Sequence, residues 1–387
     1  MNSRPFRPLF ITASLAEDSP QRHSVTLMNR LAERGQHCHG VYLRDERTLL
    51  GRVRLGAGGS MFCPQVSSYL DLPALKRLST HVARLQPDIL VSANGDALNY
   101  AILARWRTGL RIPLVVIFHP SALRGPKARL KMSLERQFCA RVECLVHGSE
   151  AQLKYWQARG LAARRNEVIV KGVDAERFQV APFVAEGAAI RRQFGLAESD
   201  YVIGMPAVLK PEKNPLMLIE ATSELRAQGI PAKALLIGDG EMRPAIEARA
   251  RLLGIKAHVA ITGWQIDVRP ALAACNVVSL CGTNESLPQA ALEAMAMNRP
   301  VVLAESAGTR EIVESWLNGF LFPPDKRPEL VARLARLADS SLARLMGDKA
   351  RSFIETQFSE SQMVDRYEQL LGELVFAGRQ SDSSTIQ

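Results

Sequence analysis

Two carboxylates bracket the start of an expected helix in the last third of the chain, in Asn284-Glu285-Ser286-Leu287-Pro288-Gln289-Ala290-Ala291-Leu292-Glu293-Ala294-Met295-Ala296. This stretch follows the apolar run Asn276-Val277-Val278-Ser279-Leu280, which reads as a buried strand. Proline is favoured in a first helical turn, so the helix begins near Pro288 and leaves the backbone N–H groups of Ser286 and Leu287 turned toward the strand end. Such a terminus receives an anionic group. Glu285 then lies beside the anion and Glu293 about a turn and a half into the helix. Two acidic side chains next to a phosphate site suit the hydroxyls of a sugar. The bland alternative is a pair of solvated glutamates.

These residues need elements to position them, and hydrophobic periodicity supplies an alternating series. Expected strands are Leu9–Ala13, His39–Leu43, Ile89–Ser92, Leu114–Phe118, Cys144–His147 and Val168–Val170. Helical stretches such as Ser24–Arg34 and Ala97–Trp106 fall between them. Residues 174–189 lack a long apolar period and contain Pro182, as a linker would. A second series follows with Val202–Met205, Lys233–Ile237, Val259–Thr262, Val277–Leu280 and Pro300–Leu303. Strands alternating with helices imply an α/β chain of two doubly wound parallel sheets, hence two Rossmann-like domains facing each other across a cleft. Ligands of such sheets bind at the carboxyl ends of the strands. Four motifs follow expected strands and would open on one edge: Leu209-Lys210-Pro211-Glu212-Lys213-Asn214, Gly238-Asp239-Gly240-Glu241, Gly263-Trp264-Gln265 and the Glu285 segment. Gly238-Asp239-Gly240 is also readable as an ordinary turn, and Lys213 as a solvated loop cation. In the first half, His119 ends the run Val115-Val116-Ile117-Phe118 and would set an imidazole at a strand end. A buried histidine bonded to a loop carbonyl is its alternative.

The two glutamates with seven residues between them, the Ala-rich helix, Arg299-Pro300-Val301-Val302, Gly308, Glu311-Ile312-Val313 and Asn318-Gly319-Phe320-Leu321 together resemble the donor-binding signature of the family-4 retaining glycosyltransferases. The resemblance runs from about Pro8 to Phe358 and is most specific in the second half. It implies the GT-B fold and a nucleotide-sugar donor such as a UDP- or GDP-sugar. It carries ribose binding to Glu293, donor-sugar binding to Glu285, diphosphate binding to Lys213, and a place near the transferred sugar to His119. Gly238 resembles the family's glycine turn beside the nucleotide. Anomeric configuration is retained in the family, with the leaving phosphate accepting the acceptor's proton, so no side chain need act as base.

Several positions depart from the family pattern. Where the family has Gly-Arg-Leu-x-x-x-Lys, this chain reads Ala207, Val208, Leu209, Lys210, Pro211, Glu212, Lys213. The lysine is kept, but Val208 cannot neutralise phosphate, which leaves Lys210 as a second cation. Ser19-Pro20, ahead of His23, replaces paired glycines, and Pro20 donates no N–H. Lys171-Gly172-Val173-Asp174 reads as a structural turn, and Ala307-Gly308 keeps one of two glycines. No Asp-x-Asp triplet is present, so no metal is expected at the diphosphate, and Lys213, Lys210 and the helix terminus must offset its charge.

At 387 residues the chain is too long for one ordinary core. The expected division is 1–180 for the acceptor, 181–357 for the nucleotide sugar, a helix at 358–378 returning to the first domain, and a flexible tail at 379–387. Cys38, Cys63, Cys139, Cys144, Cys275 and Cys281 show no paired spacing and read as reduced thiols. No apolar run approaches a membrane span, and the broken apolar opening reads as a first strand instead of a leader. The formal charge of +10 is uneven: residues 1–180 hold 27 Lys+Arg and 14 Asp+Glu, or +13, and the rest hold 22 and 25, or −3. Arg124, Lys127, Arg129 and Lys131 lie in the densest basic stretch, suited to anionic headgroups or a phosphorylated acceptor. Nucleic acid is disfavoured, since the stretch lacks interleaved aromatics and no binding motif is visible.

The expected function is metal-independent transfer of a sugar to a cell-envelope glycolipid or polysaccharide, of lipopolysaccharide, exopolysaccharide or capsule type. The expected location is cytoplasmic, peripheral on the inner face of the cytoplasmic membrane. Two alternatives stand beside it: a degenerate relative that binds a nucleotide sugar or a partner without turnover, and an isomerase or phosphorylase on the same plan.

Overall fold

The structure is a computed structural model that describes residues 5–16, 19–93, 95–119, 136–283 and 287–383. The chain forms two compact units, Met1–Val170 with Gln362–Gln387, and Lys171–Ser361. In the first unit, β1 (Pro8–Thr12), β2 (His39–Tyr42), β3 (Ser60–Phe62), β4 (Ile89–Ala93), β5 (Leu114–Phe118), β6 (Cys144–His147) and β7 (Arg165–Val168) pair in the order β3-β2-β1-β4-β5-β6-β7. Every pairing is parallel. Successive residues of each strand enter different cores, as period-two geometry requires. Leu9, Ile11, Leu90 and Val116 join one cluster, while Phe10, Val91, Val115 and Ile117 join the other. Both faces are thus covered, which is why the strands read as unbroken apolar runs.

In the second unit, β8 (Tyr201–Pro206), β9 (Ala232–Ile237), β10 (Val259–Ile261), β11 (Val277–Leu280), β12 (Val301–Ala304) and β13 (Gly319–Phe322) form a parallel sheet in the order β10-β9-β8-β11-β12-β13. Strand order therefore reverses between β1 and β4 in one sheet and between β8 and β11 in the other. Those switch points are where doubly wound sheets open a crevice.

Four expectations need correction. β7 lies at Arg165–Val168 and not at Val168–Val170, because it is an edge strand whose register is set by backbone pairing of Arg165 with Cys144. β3 and β13 were not foreseen as strands; both are short edges. Within the expected linker at 174–189, residues 181–189 are not linker: a 3-10 turn at Ala181–Phe183 leads into the helix Val184–Gln193. That helix packs through Gly187, whose position for a Cβ is 3.0 Å from the Ala273 methyl, so close contact replaces the apolar stripe that would have revealed it. The first unit accordingly ends at Val170, upstream of the expected boundary. Finally, Arg379 is no part of a loose tail.

The last helix, Glu360–Ser383, carries Met363, Val364, Tyr367, Leu370, Leu371 and Val375 into the core of the first unit beside Phe6, Phe10 and Val115. These positions recur at three- and four-residue steps, one stripe of a helix. Its flanks are pinned by Arg34 to Asp365 (2.6 Å), Arg165 to Glu373 (2.8 Å) and Arg379 to Asp88 (2.8 Å).

Candidate functional site

Sheet order brings the second unit's motifs side by side. All strands being parallel, the loops after β10, β9, β8 and β11 leave the same edge and are consecutive neighbours. They carry Gln265, Gly238, the Lys210 and Lys213 pair, and Leu287 with Glu293. Glu285 and Ser286 lie outside the described residues, as do Arg124, Lys127, Arg129 and Lys131.

The loop after β8 is held by backbone bonds from the glycine turn. Ala207 N donates to the Ile237 carbonyl at 3.1 Å, Leu209 N to the Asp239 carbonyl at 2.9 Å, and Met242 N to the Leu209 carbonyl at 2.9 Å. Two glycines permit this approach. A Cβ on Gly238, whose φ is +145°, would overlap the Ala207 carbonyl, and one on Gly240 would lie 2.5 Å from the Leu209 carbonyl. Asp239 accepts from Gly240 N at 2.8 Å and from Arg243 at 2.7 Å, which together hold its carboxyl below the usual range. The loop then tightens into the 3-10 turn Pro211–Lys213, stopped by Asn214 at φ +48° before the helix Pro215–Ala227. Lys213 is half-buried at the end of this turn, whereas Lys210 is exposed. Val208 is also exposed, at 38%.

Pro288 caps the helix Gln289–Ala296, and Ala291 N donates to the Pro288 carbonyl at 2.9 Å. The helix thus begins where the proline implied. Leu287 is buried, so only its backbone can serve a ligand, and Glu293 is half-buried in the second turn. Gln265 is half-buried, and its amide donates to the Thr262 carbonyl at 3.1 Å. Other parts of the signature are structural. Buried Asn318 donates to the Ile312 carbonyl (3.1 Å) and accepts from Glu314 N (2.9 Å). Gly319 lies against β12, where a Cβ would be 2.5 Å from the Val301 carbonyl. Gly172 lets its turn pass Glu360, whose Cα would be 2.5 Å from a Cβ there.

In the first unit, His119 is half-buried directly after β5. His23 lies inside the helix Ser19–Glu33 and not in a loop, because Pro20 is tolerated in a first turn and lets the helix start early. The two imidazoles meet edge to face, with centroids 6.0 Å apart at 81°. His23 Nε2 is also 3.4 Å from the Tyr367 hydroxyl, delivered by the last helix. Burial raises the Tyr367 pKa, so the phenol keeps its proton and can donate to His23. Sequence reasoning missed this contact; the one signal was a tyrosine on an otherwise aliphatic stripe. His147, by contrast, is wholly buried at the end of β6, and burial pushes its pKa down to about 4. Among the described residues no group of three or more metal-ligating side chains comes together.

The pattern named Glycosyl transferases group 1 matches residues 187–355, and that named Glycosyltransferase Family 4 matches residues 20–177. The chain belongs to the family-4 glycosyltransferases, with the GT-B fold. It is 27% identical to the UDP-Gal:alpha-D-GlcNAc-diphosphoundecaprenol alpha-1,3-galactosyltransferase of Escherichia coli, over 54% of this chain and 54% of that one. It is 33% identical to the lipopolysaccharide core biosynthesis glycosyltransferase LpsE of Rhizobium meliloti (strain 1021), over 35% of this chain and 40% of LpsE. These matches thus span about half the length of each relative or less. Among solved structures, Anabaena Alr3699/HepE in complex with UDP and glucose superposes with a TM-score of 0.82. That match covers 95% of this chain and 100% of HepE at 21% identity, and it speaks for the fold alone.

Proposed function

We propose that this family-4 glycosyltransferase moves a sugar, with retention, from a nucleotide-sugar donor to a cell-envelope glycolipid or polysaccharide at the inner face of the cytoplasmic membrane. The observation that carries the reading is that the loops after four neighbouring strands, which hold the candidate motifs, share the switch-point edge of the second sheet. The second unit takes the donor and the first the acceptor. Lys213, assisted by Lys210 and by the backbone from Ser286 to Leu287, offsets the charge that grows on the leaving diphosphate. An exposed helix terminus supplies only about 0.3–1 kcal/mol, so the half-buried lysine is the larger contributor. Glu293 accepts from the ribose hydroxyls, Glu285 holds the donor sugar, and Gly238 and Gln265 line the nucleotide. His119 stands by the transferred sugar. In this scheme protein cations replace a divalent metal, and the leaving phosphate takes the acceptor proton.

A lipid-linked acceptor is supported by the relatives, one named for a diphosphoundecaprenol substrate and another for lipopolysaccharide core biosynthesis. The basic residues Arg124, Lys127, Arg129 and Lys131 suit its phosphates. The competing reading, binding without turnover, draws on one observation: an exposed aliphatic side chain, Val208, stands where the family has its arginine. Measuring nucleotide release from a panel of nucleotide sugars, with and without lipid acceptor, separates the two. Turnover requires acceptor-dependent release, whereas a degenerate protein binds and releases nothing. An altered sugar without acceptor would indicate an isomerase. Glu293→Ala should abolish the thermal shift given by UDP or GDP while the fold is kept. A retained shift removes the ribose assignment.

A further inference from the structure

The segment between β3 and the helix Leu72–Leu85 exposes three large apolar side chains within four residues. Tyr69 is 64% exposed, Leu70 61% and Leu72 63%. Single exposed leucines need no explanation, but a contiguous cluster does. This loop is braced from both sides. Asp71 accepts from Ser67 N at 3.1 Å, from Ser67 Oγ at 2.9 Å and from Ala74 N at 2.9 Å, closing the turn and capping the helix. From the helix Asp96–Thr108, the Tyr100 hydroxyl accepts from Asp71 N at 2.8 Å, and Asn99 donates to the Tyr69 hydroxyl at 3.1 Å. The loop is therefore stiffly supported, with Leu70 and Leu72 exposed beside Tyr69, whose ring is exposed while its hydroxyl is tethered to Asn99. Pro73 is exposed as well and continues the patch.

Charge selects what covers it. Asp71 keeps its negative charge within its cap, while Asp96, on the bracing helix, is paired with Arg44. Lys76 lies one helical turn beyond Leu72 on the same face and is exposed. Next to it, Arg77 donates to the Pro64 carbonyl at 2.9 Å, a contact that leaves its charge in place. The patch belongs to the +13 half of the chain. An aromatic hydroxyl, two leucines and an adjoining lysine match the boundary between acyl chains and anionic headgroups.

The geometry points to this loop as a docking element that inserts Tyr69, Leu70 and Leu72 into the interfacial zone of an anionic phospholipid bilayer, with Lys76 against the headgroup phosphates. The inference deepens the membrane-facing reading above and rests on it for the choice of lipid. It uses residues distinct from Arg124, Lys127, Arg129 and Lys131.

Vesicle co-sedimentation of the full chain tests it, with phosphatidylglycerol–phosphatidylethanolamine vesicles compared against pure phosphatidylcholine. Wild type should pellet with the anionic vesicles and less with the zwitterionic ones. Tyr69→Ser/Leu70→Ser/Leu72→Ser should cut the bound fraction about tenfold at an unchanged melting temperature. If the triple variant does not fold, Leu70→Ser alone, at the loop tip, should cut it about threefold. Equal pelleting of variant and wild type overturns the inference, as does failure of wild type to pellet with either vesicle. So does loss of a wild-type dimer in the variant, seen by ultracentrifugation, which would make a second copy the occupant. Since no turnover is read, an inactive chain that still pellets keeps the inference, and an active chain that never pellets loses it alone.

Discussion

The two sheets share one winding order, yet their carboxyl edges are built from different materials. On the second, backbone does the positioning: glycines at 238 and 240 let one turn clasp the loop that ends in Lys213. On the first, side chains do it: His119 rests on His23, which meets a tyrosine from the far end of the chain. Backbone clasps fix a loop whatever its side chains, so residues such as Val208 can drift while the cradle is kept. Ring-on-ring support ties each partner to its neighbour's identity.

Four experiments sharpen or break this contrast. The largest effect is expected from Lys213→Ala, which should lower kcat/KM for the nucleotide-sugar reaction about a hundredfold or more, as loss of a preorganised charge does. If His119→Ala costs more than Lys213→Ala, the second edge is not the main source of catalysis. Next is an acid sensitivity that His147 gives the first unit. Burial keeps His147 neutral when folded, so below its ordinary pKa the unfolded chain takes up a proton that the folded chain refuses. Stability from this residue is complete above pH 6.5 and lost as pH falls toward about 4, a change of about 3 kcal/mol. The unfolding free energy of wild type minus that of His147→Leu, from urea titrations, should fall by that amount on acidification; parallel curves would refute it. Gly238→Ala should cost about 2 kcal/mol from backbone strain and collision with the Ala207 carbonyl, and weaken nucleotide binding with it. A neutral substitution would mean that the clasp is slack. Smallest is Tyr367→Phe, expected to cost about 1 kcal/mol in stability and to lower kcat with little change in donor KM. An altered donor KM instead would detach the tyrosine from His119.

The contrast also explains what could be read from the chain. Central strands such as Leu114–Phe118 and Val277–Leu280 announced themselves because burial on both faces demands continuous apolar runs. Edge strands such as β3 and β7 relax that demand, so β3 was silent and β7 was misplaced, while β13 is buried but its run of 4 residues is too short to stand out. The helix Val184–Gln193 stayed hidden because Gly187 achieves by closeness what larger residues achieve by area. At the carboxyl edge of the second sheet, local motifs such as Gly238-Asp239-Gly240 and Pro211-Glu212-Lys213 survive as short words. The His23–Tyr367 contact joins residues 344 positions apart, and no local pattern encodes it.

The returning helix has a consequence for how the molecule is made. Because Tyr367, Leu370 and Leu371 complete the first unit's core, the half synthesised earliest is the last to be finished. A nascent chain arrested before residue 362 would hold a protease-resistant second unit and a first unit with one sheet face covered only in part, by Val25, Leu27, Met28 and Leu31. The first unit's core thus waits on residues that are translated only after the whole of the second unit.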